Sequence, residues 1–143
     1  MNAYSNQYQN NQVMTASPEQ ILIMLYDGAI RFVRQAKFAI EDNRAGDKAI
    51  AISKAVAIIT EFSNTLDYEV GGEIALDLGN LYDFMIRELS AVNARSEIER
   101  LMPVENILLD LREGFSGAAQ INQSGTQTGI KSESTVGQVA VSF

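Results

Sequence analysis

The sequence predicts an all-α chain: an antiparallel up-down-up-down four-helix bundle with a flexible N-terminal arm and a flexible C-terminal tail. Three observations lead there. Apolar side chains recur at spacings of three and four through four successive segments between residues 17 and 115. The breaks between those segments are short, which makes consecutive helices antiparallel neighbours. No strand pattern interrupts them, and ~100 residues in such segments suffice for one stable core.

The first helix has a strong start signal. Ser17 is placed as N-cap, Pro18 at the first helical position, Glu19 near the positive end of the dipole, and Gln20 three residues on to complete a capping box. At 100° per residue its buried stripe is Leu22, Leu25, Ala29, Phe32, Val33, Ala36 and Ile40, and it is expected to end near Asn43. Asp47 is expected to cap a second helix with the stripe Ile52, Val56, Ile59, Phe62 and Leu66. Asp67 to Gly72 forms the next break. A third stripe follows in Ile74, Leu78, Leu81, Met85, Leu89 and Val92. Ser96 with Glu99 reads as a capping box for a fourth helix carrying Ile98, Leu101, Ile107, Leu108, Leu111 and Phe115. Pro103 lies inside that helix and is expected to kink or split it, because its ring nitrogen donates no hydrogen bond.

The ends have a different composition. Seven of the first twelve residues are Asn or Gln, interrupted by Tyr4 and Tyr8, so residues 1–16 read as an arm with little to bury. Residues 116–143 hold only Lys131 and Glu133 as charges among Ser, Thr, Gln and Gly, the composition of a flexible tail. Residues 17–115 form the bundle domain between them.

Composition excludes much chemistry. The 143 residues include no cysteine, histidine or tryptophan, so a thiolate nucleophile, a disulfide, a Cys/His zinc site, a His or Cys haem ligand and a Ser-His-Asp triad are all ruled out. The net charge of -7 disfavours nucleic acid and anionic membranes as partners. That charge is unevenly spread. Residues 17–66 carry six acids and six bases, whereas residues 67–113 carry eleven acids against Arg87, Arg95, Arg100 and Arg112. The longest apolar run, Ile21 to Tyr26, is far short of the ~20 residues that a membrane helix needs. The N-terminus has neither the basic nor the apolar region of a cleaved signal, and a cytoplasmic location is expected.

A helical bundle invites a di-metal carboxylate site, but that site draws on Glu-x-x-His motifs and the chain has no histidine. Asp27, Asp77, Asp83 and Glu88 each fall on the polar face of a helix, where a solvated charge is the ordinary explanation. No enzymatic activity and no cofactor are expected. The excess lies in apolar surface. Ile23 and Ile30 stand outside the first stripe with Tyr26 bridging towards them, while Met24 and Phe38 point nearly away from it. Tyr82, Ile86 and Asn93 share an edge of the third helix beside Gly79, and Ile58 has the same edge role on the second. Two readings stay open, a wide core or a contiguous partner surface. Under the second, Tyr4 and Tyr8, four apart, are able to lay both rings into such a surface.

These residues resemble the flagellin-specific export chaperones of the FliS type. The matching pieces are the two N-terminal tyrosines, Ser17-Pro18-Glu19, Met24-Leu25-Tyr26-Asp27-Gly28-Ala29, Leu81-Tyr82-Asp83-Phe84 with Leu89 and Asn93, and Leu111-Arg112. Their order and spacing span almost all of residues 1–115, with Phe115 where the family often carries Trp. The resemblance implies a cytoplasmic bundle that binds the disordered C-terminal segment of flagellin, prevents premature polymerisation and keeps the subunit fit for flagellar type III secretion. It makes Tyr4 and Tyr8 an autoinhibitory cap, and Ile23, Tyr26, Ile30, Ile58, Tyr82, Ile86 and Asn93 the flagellin-binding groove. The flagellar export gate and an anti-sigma factor are the further partners it suggests. An adaptor bundle whose apolar edges form a homo-oligomer is the alternative. Deleting residues 1–12 is expected to expose the capped surface and drive self-association; a monomer unchanged in light scattering would argue against a cap.

Overall fold

Ser17 opens the first helix with the reciprocal pair that its sequence encodes: the Gln20 amide donates to the Ser17 hydroxyl at 3.1 Å and the Ser17 amide to the Gln20 side chain at 2.9 Å. The structure, a computed structural model, describes residues 16–124, with side-chain surroundings as far as Gly117. Tyr4, Tyr8 and the rest of the arm lie outside the described residues. Helix α1 spans Pro18–Glu41, α2 Ala45–Asn64, α3 Tyr68–Arg95 and α4 Leu101–Ser124, with a 3-10 turn at Ile98–Arg100 before α4. Helix α1 packs on α2 and α4, and α3 closes the ring between them, so α1 and α3 stand at opposite corners of an all-α four-helix bundle.

Each connection is closed by local chemistry. Asn43 takes the left-handed conformation (φ 57°), which ends α1 near Asn43 as its sequence implies. The Arg44 amide then reaches the Ala39 carbonyl at 2.8 Å and the Asn43 amide the Ile40 carbonyl at 3.1 Å, a Schellman arrangement with Asn in the usual place of Gly. This tight turn starts α2 at Ala45, so Asp47 lies inside the first turn instead of capping it and pairs with Arg44 at 3.1 Å. Asp67 caps α3 by accepting from the amides of Glu69 and Val70. One turn later Gly72, at φ 51° and ψ -124°, breaks the helix in a conformation that side chains resist.

Two expectations at the fourth helix are corrected. Ser96 is left-handed (φ 56°) and closes α3, so the Ser96–Glu99 capping box does not form. Its hydroxyl instead accepts from Lys48 Nζ at 2.9 Å, and the same ammonium donates to the Asn93 carbonyl at 3.1 Å. Lys48, nearly buried, thereby ties the start of α2 to the negative end of α3. Pro103 is the third residue of α4, where a first-turn amide has no intrahelical partner in any case, so it does not kink the helix. The split falls ahead of it, at the 3-10 turn, which Arg100 braces by pairing with Glu88 at 2.9 Å and Glu97 at 2.5 Å. Helix α4 then runs on to Ser124, past the bundle boundary expected at Phe115.

The core is built from one aromatic ring per helix. Tyr26 of α1 stacks on Phe62 of α2 with centroids 4.4 Å apart and lies 5.6 Å from Phe115 of α4; Phe62 lies 5.6 Å from Tyr82 of α3. The Tyr26 and Tyr82 hydroxyls meet at 2.8 Å in a buried hydrogen bond across the diagonal. Around this cluster are Leu22, Val33, Ile52, Ile59, Met85, Leu89, Val104 and Leu108. The buried sector of α1 is turned from the predicted stripe. Tyr26 and Ile30 are inside, whereas Leu25, Phe32 and Ile40 are only partly buried at its flank. The cause is that α1 has a helix on either side, so its core face is set by two neighbours.

Burial pushes the Tyr82 phenol up to about 12 and raises the Tyr26 phenol further, its partner adding to the effect. Unfolded phenols ionise near 10.0, so above that pH the unfolded chain binds fewer protons than the native one. The pair's contribution is therefore complete below pH 10 and is lost as pH rises towards 12. In a spectrophotometric titration at high pH, these two phenols are expected to ionise late, at the onset of alkaline unfolding, and near the ordinary range in urea. Tyr82→Phe should lower urea-unfolding stability by about 1–3 kcal/mol, because it strands the Tyr26 hydroxyl in the core. The Tyr26→Phe/Tyr82→Phe double variant should cost less than the two singles summed.

Candidate partner-binding surface

Eight large apolar residues are exposed among the described residues, and they fall in two groups. Met24 and Phe38 on α1, Ile50 on α2, and Met102 and Leu109 on α4 surround the outer face of α1; Tyr68, Val70 and Leu76 lie at the start of α3. Phe38 is the centre of the first group, with 63% of its surface exposed. It borders two grooves. One runs between the end of α1 and the start of α2, over Ala39, Ile50 and Ala51; the other lies between α1 and α4, over Ile30 and Leu109. A third depression, beside Val33, Ile98, Leu101 and Met102, continues along the same pair of helices.

Ion pairs hold the walls of this surface in place. Arg112 of α4 pairs with Asp27 of α1, and Arg34 of α1 with Glu105 of α4 at 2.7 Å. These bonds are half-exposed, so their worth lies in setting the separation of α1 and α4 more than in stability. Among the described residues no three acidic side chains converge on a point where a metal ion would sit. Of the carboxylates considered from sequence, Asp27 and Glu88 are in salt bridges, and Asp77 and Asp83 are exposed.

The residues singled out from sequence are not brought into one patch. Tyr26, Tyr82 and Ile30, expected at edges, are buried, with 0%, 3% and 4% of their surface exposed. The two tyrosines meet each other in the core, and Ile30 supplies the floor of the α1–α4 groove. Ile23, Ile58 and Ile86 are half-buried on α1, α2 and α3; Ile58 lies against Gly28 across the α1–α2 contact. Asn93 is exposed, and its carbonyl is taken by Lys48. Met24 and Phe38 do point outward as their spacing implied. Ile50, Met102 and Leu109 were not singled out. A signal existed for two of them: in the doublets Leu101-Met102 and Leu108-Leu109 the first residue is buried, and its successor, 100° further round, has to leave the core.

An apolar surface walled by inter-helix ion pairs on a small bundle is the form of a protein-binding module. A family model described as flagellar protein FliS matches residues 1–122. The chain belongs to the FliS family. It is 39% identical over 114 residues to the flagellar secretion chaperone FliS of Salmonella typhimurium, covering 79% of this chain and 84% of the relative. It is 37% identical over 110 residues to the flagellar secretion chaperone FliS of Campylobacter jejuni, covering 77% and 86%. The Bacillus subtilis protein of the same name is 35% identical over 113 residues, covering 79% and 84%. Membership of this family supports a flagellar export chaperone role. No helix among the described residues is long and apolar enough to cross a membrane.

If Phe38 and Leu109 form the accessible apolar surface, Phe38→Ser with Leu109→Ser should lower the fluorescence of a bound apolar dye by about half or more. Surface positions of this kind carry little of the folding energy, so the melting temperature should move by no more than about 2 °C.

Proposed function

We propose that this FliS-family chain is a cytoplasmic export chaperone whose client is the disordered C-terminal segment of flagellin. Binding covers the client's apolar side chains, prevents premature polymerisation and keeps the subunit fit for flagellar type III secretion. The observation that carries this reading is the exposed apolar surface along α1, centred on Phe38, on a chain of this family. Ordering a disordered client costs roughly 2–5 kcal/mol, so a long contact is needed for useful affinity. Grooves on both sides of Phe38 offer one.

In this reading Phe38, Met102 and Leu109 make first contact, and Ile30 lines the groove floor. Ile23 on α1 and Ile58 on α2 extend the contact, and a further part of the client reaches Ile86 and Asn93 on α3. Tyr26 and Tyr82 act from behind, holding the four helices at the separation that keeps the grooves open. Tyr4 and Tyr8 cap the surface until the client displaces them, and the export gate and an anti-sigma factor are further partners.

Isothermal titration calorimetry tests the proposal, using a peptide spanning the C-terminal region of flagellin from the same organism and a scrambled control. Saturable one-to-one binding with a strongly negative heat-capacity change is expected. Phe38→Asp with Leu109→Asp should weaken it about tenfold or more while the unfolding midpoint holds. No heat at any accessible temperature, together with an assembly that survives dilution, would replace this reading with the homo-oligomeric adaptor.

A further inference from the structure

The net charge of -7 makes the α1–α4 groove unusual, because three guanidiniums surround its apolar floor. Arg31, Arg34 and Arg112 line it together with Ile30, Phe38 and Leu109. Two carboxylates answer them, Asp27 to Arg112 and Glu105 to Arg34, and neither pairing consumes the donors available. Arg34 gives only its Nε to Glu105, leaving both terminal nitrogens without a hydrogen bond among the described residues. Arg31 forms no ion pair among the described residues, and its guanidinium lies 5.2 Å from the centre of the Phe32 ring, on the exposed side of α1. Around this floor the three guanidiniums outnumber Asp27 and Glu105, whereas the continuation of the groove past Val33 carries Glu41 and Glu99 against Lys37. Meanwhile Glu73, Asp77 and Asp83, on α3 at the opposite corner, are exposed and in no salt bridge among the described residues.

A guanidinium with unspent donors beside an apolar floor suits one chemistry, a carboxylate next to an apolar anchor. We propose that this groove selects an acidic amphipathic segment of the client, seating its apolar side chains on Ile30, Phe38 and Leu109 and its carboxylates against Arg31, Arg34 and Arg112. The occupant is the client named above, so the inference rests on that reading. A basic segment is turned away at the same place, and α3, where Glu73, Asp77 and Asp83 outnumber the exposed Arg87, repels an acidic one. The charge distribution therefore directs the client to one corner of the bundle and sets its docking orientation.

Two synthetic amphipathic peptides with identical Leu and Phe positions test this, one carrying Glu at every polar position and the other Lys. Each is titrated into the isotope-labelled full-length chain and followed by amide chemical shifts. The Glu peptide should perturb Arg31, Phe38 and Leu109 and bind about tenfold or more tightly than the Lys peptide at about 50 mM salt, an advantage that shrinks at about 500 mM. Arg31→Glu, an exposed change checked by circular dichroism, should weaken the Glu peptide about threefold to tenfold, and Arg31→Lys should recover part of the loss. Equal binding of both peptides, or shifts confined to other helices, would overturn the inference. The flagellin peptide separates the two ideas. If it binds wild type and Arg31→Glu equally, the groove's selectivity falls and the chaperone reading stands. If it binds neither while the Glu peptide still docks, the chaperone reading falls and the selectivity stands.

Discussion

The hydrogen bond between Tyr26 and Tyr82 is the contact on which the rest of the bundle depends. These residues come from α1 and α3, opposite corners that otherwise hardly touch, and their hydroxyls meet at 2.8 Å where water has no access. A phenol buried without a partner is costly, so each hydroxyl constrains the position of the other. Phe62 and Phe115 complete the cluster from α2 and α4, and the four rings set the spacing of the four helices. Aromatic pairs in offset contact add to this directionally, where aliphatic packing alone would tolerate sliding.

Two consequences reach the surface. Beside the bulky central rings, α1 and α2 carry small buried residues, Gly28, Ala36 and Ala39 on the one and Ala51 and Ala55 on the other, with Ile58 against Gly28. Phe38, whose spacing sets it away from the core face of α1, stays at the surface. Ion pairs then stand in for packing at the rim: Arg112 with Asp27 and Arg34 with Glu105 span the α1–α4 gap, so the groove has charged walls over an apolar floor. The same division of labour appears where α1 ends and α2 begins, at the Phe38 end of the bundle: Lys48 joins α2 to the last turn of α3, and Arg100 joins the 3-10 turn to Glu88.

Much of this was legible in the residues. The Ser17–Gln20 box operates within four residues and appears in the structure as read; the break expected over residues 67–72 narrows to Gly72, because Asp67 caps a helix that already starts at Tyr68. The misplaced features depend on longer range. Ser96 has the side chain of an N-cap, but Lys48, from another helix, supplies its hydrogen bond. Asp47 has the side chain of a cap, but the Asn43 turn starts the helix earlier. Tyr26, Ile30 and Tyr82 looked like edges because a single stripe was drawn through each helix, and a helix with two neighbours buries a broader sector.

The sequence by itself determined the class of the molecule: four amphipathic helices, their order, their short connections, the absence of thiol and imidazole chemistry, and an excess of apolar side chains over what one core consumes. Periodicity, capping and composition are properties of a segment and its immediate neighbours, and they survive translation into three dimensions. Only the tertiary structure decided which apolar residues form that excess. Helix α1 turns until Tyr26 reaches Tyr82 and Gly28 meets Ile58, and that rotation carries Ile30 inward, while Phe38 stays outside as its spacing implied. A helical wheel fixes the angles between side chains on one helix, but its orientation in the bundle is set by contacts with residues far away in the chain.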